Sequence, residues 1–291
     1  MTKRRYTRFA AVGAVAVVCC LLLSAWCVIR LRDAGASRGV SSVTLLQRVP
    51  AHQAPRTPGL RAVDAPLAAC EARLERGPRT RPTLAVVGAS YTAGVGPGNP
   101  AQSWAVDLAR QLHWNAVVYG VPGAGYQRAG SSGRGPMDHL LAREGLTGLR
   151  PALVIVQAGH DDVGVPPAVE RSRVGAVVSL IRSAAPDARI GLLTTFASTL
   201  DGTPALRSTD QAIIAAGGAA DPGLIVMDPL AGRWRYAHAG DGLHPTAGGD
   251  AWIARTVAAI LASRGLRPAP ADGAAPVICD VAVGAGKPVT A

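Results

Sequence analysis

The chain has 291 residues, of which 48% are hydrophobic, with a formal net charge of +11. That length suits one sizeable domain with appendages. Lys3, Arg4, Arg5 and Arg8 supply part of the charge, and the other basic residues are scattered. No basic stripe carries interleaved aromatics and no zinc-ligand spacing occurs, which argues against nucleic-acid binding.

The basic segment 1–8 precedes "FAAVGAVAVVCCLLLSAWCVI" (9–29), an uncharged run long enough to cross a bilayer as one helix. Positive charge before it places the amino terminus in the cytoplasm and the remainder outside. A cleaved signal sequence, giving a secreted protein, is the alternative reading, although the run has no convincing small-x-small cleavage site. Residues 30–80 mix Gly, Ser, Pro and Arg and read as a stalk, with short helices near 42–49 and 66–74. From 81 to 265, apolar runs alternate with helical patterns. The runs "TLAVV" (83–87), "NAVVYG" (115–120), "ALVIVQ" (152–157), "RIGLLTTF" (189–196) and "GLIVMD" (223–228) read as five buried strands. Trp104, Leu108 and Leu112 follow the helix cap Ser103. Val174, Val177, Val178 and Ile181 form a second helical stripe. Ile253, Val257, Ile260 and Leu261 form a last one, stopped at Gly265. This alternation predicts a parallel sheet covered on both faces. The tail 266–291 is rich in Pro, Ala and Gly, and only "PVICDVAV" (276–283) is suited to docking. Three of the five cysteines lie within 9–29; Cys70 and Cys279 remain, and in an oxidising compartment they can pair. Two unpaired buried thiols are the alternative.

Nucleophilic hydrolysis needs a hydroxyl, an adjacent base, a group that orients the base, and donors for the developing oxyanion. "VVGASYTAGVG" (86–96) puts Ser90 at the carboxyl end of the first strand, where open α/β sheets place their ligands. Of the six histidines, His244 in "GDGLHPTAGGDAW" (240–252) has a carboxylate, Asp241, three residues before it. Such a pair fixes the tautomer that leaves Nε2 free as a base. Taken alone, the same residues read equally well as a solvated serine, a capping aspartate and a surface histidine.

Four blocks in this order, "GASY" after the first strand, "GVPGAG" (120–125) after the second, "GHDD" (159–162) after the third and "DGLHP" (241–245) before the last helix, resemble the SGNH (GDSL-type) hydrolase family over roughly 83–264. The resemblance implies a three-layer α/β/α sandwich with a parallel, flavodoxin-like five-stranded sheet. It implies ester hydrolysis without a metal or organic cofactor. It casts Ser90 as nucleophile, His244 as base and Asp241 as its orienting acid. The backbone N–H groups of Ser90 and Gly123 become oxyanion donors, and Gly88, Gly159, His160 and Asp162 shape the site.

The third block departs from the family's Gly-x-Asn-Asp, because Asp161 stands where an asparagine donates the third oxyanion bond. An ionised carboxylate only accepts hydrogen bonds. Either Asp161 is protonated, or His160 or another donor replaces it, or it turns away and two backbone donors remain. The expectation is a membrane-anchored extracytoplasmic serine esterase acting on short-chain esters. Acyl transfer to envelope glycans or lipids, and a non-catalytic envelope-binding module, are the alternatives. The loops 126–136 and 197–206 are expected to border the site. Arg128 and Arg134 are there either for an anionic substrate or as solvated loop residues.

Overall fold

A computed structural model describes residues 61–282, apart from 78, 144, 199–202 and 271–272. The run 9–29 lies outside the described residues. Among those described, no helix is long and apolar enough to cross a membrane.

The five expected strands form: β1 (Thr83–Gly88), β2 (Asn115–Gly120), β3 (Leu153–Gln157), β4 (Arg189–Leu193) and β5 (Ile225–Met227). The sheet has six strands rather than five, because β6 (Ile278–Ala282) adds to its edge in the order β5-β4-β3-β1-β2-β6, every pair parallel. The tail that supplies this strand is also held covalently. Cys279 is disulfide-bonded to Cys70, which lies in α1 (Arg61–Arg76). The helix expected at 66–74 is therefore longer and belongs to the domain: Cys70, Leu74 and Val277 pack with Val117, Tyr119, Leu149 and Cys279 at that edge.

Alternation along each strand divides the core. Leu84 and Val86 of β1 and Leu153 and Ile155 of β3 face α2 (Trp104–Leu112) and α7 (Ala247–Ser263). Ala85 and Val87, with Val154 and Val156, face the layer that contains α3 (Met137–Arg143), α5 (Pro167–Ala184) and α6 (Pro204–Ala220). A one-turn helix, α4 (Leu146–Leu149), lies between α3 and β3. A fully buried Leu, Ile or Val contributes about 1.5–3 kcal/mol, so the two faces carry most of the fold's stability. His139 lies in α3. Helix α6 takes the end of the expected loop 197–206.

Candidate active site

β1, β2 and β3 end level with one another, with Gly88 opposite both Gly120 and Gln157. The chain leaves β1 into the turn bearing Ser90, β2 into the loop bearing Gly123, and β3 into the short 3-10 turn His160–Asp162. Three of the four sequence blocks thus emerge from neighbouring strands at one edge. The fourth, 241–245, stands just before α7, whose cap Thr246 accepts the N–H of Gly249.

The turn after β1 is buttressed by a residue that the sequence reading missed. The Gln157 side-chain oxygen accepts the N–H of Ala89 at 3.1 Å, the N–H of Thr92 at 3.3 Å and the hydroxyl of Thr92 at 2.9 Å. A β carbon on Gly88 would lie 2.1 Å from Thr92 Oγ1 and 2.9 Å from that oxygen, so the small residue is required. The turn's backbone bonds use the N–H groups of Ala93, Gly94 and Val95. The Ser90 N–H is not among them. The signal for Gln157 was a single polar residue closing an otherwise apolar strand.

In the base loop, His244 Nδ1 lies 2.6 Å from Asp241 Oδ2. Asp241 Oδ1 also accepts the N–H groups of Leu243 and His244, at 2.9 and 3.0 Å. The hydrogen bond with His244, helped by these amides, holds the Asp241 carboxyl down to about 2. Asp241 is 49% exposed, whereas the His244 side chain is 13% exposed. Its Nε2 is buried and has no hydrogen-bond partner, so it is not bonded to Ser90. Apo sites commonly show this looseness. The residue after Ser90 ties the two loops together: the Tyr91 hydroxyl donates to Leu243 O at 2.6 Å, and its ring centroid is 5.6 Å from that of His244. Behind this pair Tyr91 stacks on Phe196, and Phe196 meets Trp234 and Tyr236 edge-on. The strap 237–239 closes the loop from the other side, with Ala239 N–H donating to His244 O and Thr246 N–H to Ala237 O.

Gly123 has a left-handed backbone, φ 76°. The backbone bonds of its loop engage Ala124, Gly125 and Ser131 N–H and leave the Gly123 N–H outside them. Asp162 anchors this loop. Its Oδ2 accepts the N–H of Tyr126 at 2.6 Å, and its Oδ1 accepts the N–H groups of Gln127 and Arg128, both at 3.2 Å. Burial pushes the Asp162 carboxyl up, and these three amides pull it back. A β carbon on Gly125 would lie 2.2 Å from Asp162 Oδ2, so glycine admits the carboxylate.

Asp161 is held between these anchors, following Gln157 on one side and preceding Asp162 on the other. It is half-buried. Burial raises its carboxyl above the ordinary range; Asp162 adds to this, while His160 and His244 oppose it. Gly159 opens the turn at φ 125°, and a β carbon there would strike Ile213 Cδ1 at 2.5 Å and Thr195 Oγ1 at 2.7 Å. His160 is half-buried beside Asp161. The two loop arginines differ: Arg128 is exposed, whereas Arg134 is only 6% exposed and is not a solvated residue. Among the described residues, no group of three or more His, Cys, Asp or Glu side chains could hold a metal ion.

The model of the GDSL-like Lipase/Acylhydrolase family matches residues 86–252. No curated protein sequence matches the chain. Solved structures do. A carbohydrate esterase family 2 enzyme with a carbohydrate-binding domain, from Corynascus thermopiles, is 21% identical; the match covers 65% of this chain and 68% of that one, with a TM-score of 0.53. Est24, a carbohydrate acetylesterase from Sinorhizobium meliloti, is 15% identical over 63% of this chain and 100% of that one, with a TM-score of 0.51. The aryl esterase of M. smegmatis is 17% identical over 64% and 99%, with a TM-score of 0.51. These likenesses are at the level of the fold.

Proposed function

The chain belongs to the GDSL-like lipase/acylhydrolase family, and on that premise we propose that it is a serine esterase whose triad is Ser90, His244 and Asp241. The observation that carries this reading is the 2.6 Å Asp241–His244 pair with a buried, unoccupied Nε2, tied through Tyr91 to the turn that bears Ser90. Asp241 holds the proton of His244 on Nδ1. Nε2 then takes the Ser90 hydroxyl proton as Oγ attacks the ester carbonyl. The N–H groups of Ser90 and Gly123 receive the oxyanion. Nε2 returns the proton to the departing alcohol, leaving an acyl-enzyme. Water, deprotonated by His244, releases the acid and restores Ser90.

Asp161 enters as a third donor in its neutral form. Its burial favours the proton, and an oxyanion growing beside it favours the proton further.

The substrate reading is a short acyl ester, such as acetyl, on a carbohydrate. Its support is the shared fold of the two carbohydrate esterases. The location reading is an anchored domain outside the cytoplasm. It rests on the uncharged run 9–29 and on the Cys70–Cys279 disulfide, a bond that persists in oxidising compartments.

The deciding experiment is turnover of p-nitrophenyl acetate and butyrate by the full chain and by Ser90→Ala. Loss of the nucleophile is expected to lower kcat about 10⁴-fold or more while the protein stays folded. Equal turnover by the variant would overturn the reading.

A further inference from the structure

Glu170 stands in the first turn of α5, where an acid ordinarily meets water and the helix's amide end. Here it is fully buried, and neither carboxyl oxygen has a hydrogen-bond partner. Tyr126 is equally buried, and its hydroxyl is unpartnered too. Asp162 is the charge that acts on Glu170, and both acids act on the Tyr126 hydroxyl. Three elements therefore bring polar groups together beneath the loop that carries Gly123: the turn after β3, the start of α5 and the loop itself. Unpartnered buried polar atoms are rare, and a group of them asks for an explanation.

On the loop itself Arg128 acts on Asp162 and Arg134 is buried; the charged groups of the packed helices have other partners or face solvent. Asp138 of α3 pairs with Arg173, which also donates to Gln127. Asp210 of α6 accepts the Thr195 N–H, and Arg182 binds Asp221. His139, Arg143, Arg171 and Arg207 are exposed. Arg128, on the exposed side of the loop, favours the charge of Asp162, and among the described residues no side chain or amide donates a hydrogen bond to the buried Glu170. Three amides favour ionisation of Asp162, and nothing donates to Glu170. The charge rests on Asp162 and the proton on Glu170.

We propose that Glu170 is a positioning residue for the oxyanion loop: as a neutral acid it lets Asp162 carry the single charge that ties down Tyr126, Gln127 and Arg128, and on losing its proton it drives that loop away from Gly123's working position. Burial first, and then the charge of Asp162, push its carboxyl up to about 8. The group's contribution to stability is therefore complete below its ordinary value of 4.5 and is lost as pH rises to about 8. The catalytic consequence rests on the esterase reading above; the behaviour of the loop does not.

The test measures amide exchange at Tyr126, Gln127 and Arg128 together with kcat and KM, in the wild-type full chain and in Glu170→Gln. In the wild type, protection of these amides is expected to fall about tenfold between about pH 7 and about pH 9, after correction for base catalysis of exchange. In Glu170→Gln, protection persists. Over the same range wild-type kcat falls more steeply than that of the variant, while KM changes little in either. Constant protection in the wild type, or an equal loss in both proteins, would overturn the proposal. If Glu170→Gln does not fold, the wild-type exchange profile alone decides. An absence of Ser90-dependent turnover alongside the expected exchange profiles would sink the esterase reading and leave the loop device standing.

Discussion

The loop 241–245, which bears the proposed base, and the loop 121–128, which bears the proposed oxyanion donor Gly123, are each pinned by one aspartate that accepts several hydrogen bonds. Asp241 takes an imidazole and two amides, and Asp162 takes three amides. The settings are opposite. Asp241 is half in water and keeps its charge down to about 2. Asp162 is wholly buried, and burial pushes its carboxyl up. An exposed carboxylate already solvated by water loses little on adding three partners. A buried one depends on every partner and on the protonation of its neighbours. The base side of the site is therefore robust to its surroundings, and the oxyanion side is conditional on them.

Asp241→Asn should break the base side at the level of chemistry. The wrong tautomer of His244 is expected to cost about 10⁴-fold in kcat, measured by turnover of p-nitrophenyl acetate. Asp162→Ala should break the oxyanion side in structure as well. It leaves three amides without an acceptor, each costing about 1–3 kcal/mol if buried. The expected result is kcat lower by about 10²-fold and a melting temperature lower by several degrees, read by calorimetry. Melting of the wild type against pH sharpens the contrast with the smallest effect. Glu170 and Asp250 are fully buried acids, each raised to about 8 from ordinary values of 4.5 and 3.8. Their contributions are complete below those ordinary values and vanish as pH climbs to about 8. The lowered Asp241 acts the other way: its contribution is present above 3.8 and is lost as pH falls towards about 2. Melting should thus peak in mild acid and decline by a few degrees towards about pH 8, and a peak on the alkaline side would contradict the assignment.

The same contrast explains what the sequence revealed. β1 to β5 were legible as apolar runs, and α2 as a stripe behind Ser103, whose hydroxyl accepts the Val106 N–H. The base loop was legible because Asp241 and His244 are three residues apart. α6 escaped notice because much of its buried face is small, with Ala212, Ala216 and Gly217 beside Leu206 and Ile213. β6 was legible as a docking segment joined to Cys70, but its place as a parallel strand beside β2 depends on a contact between distant segments. Asp162 was recognised as part of the site, but its hold on 126–128 is a contact between distant segments. Glu170 sits in "PAVERSRV", which reads as an exposed helix start, and only tertiary packing buries it.

The disulfide has a mechanical consequence. Cys70 lies in the first described helix and Cys279 in the last strand, so the bond bridges almost the whole domain. A pull applied to the two ends of the domain passes from α1 into β6 through sulfur. The backbone between the two cysteines, with β1 to β5 and the loops mounted on them, lies in the closed ring and cannot be drawn out end to end while the bond is intact. The edge that carries the proposed site is thereby protected from unravelling from the two ends for as long as the bond stays oxidised.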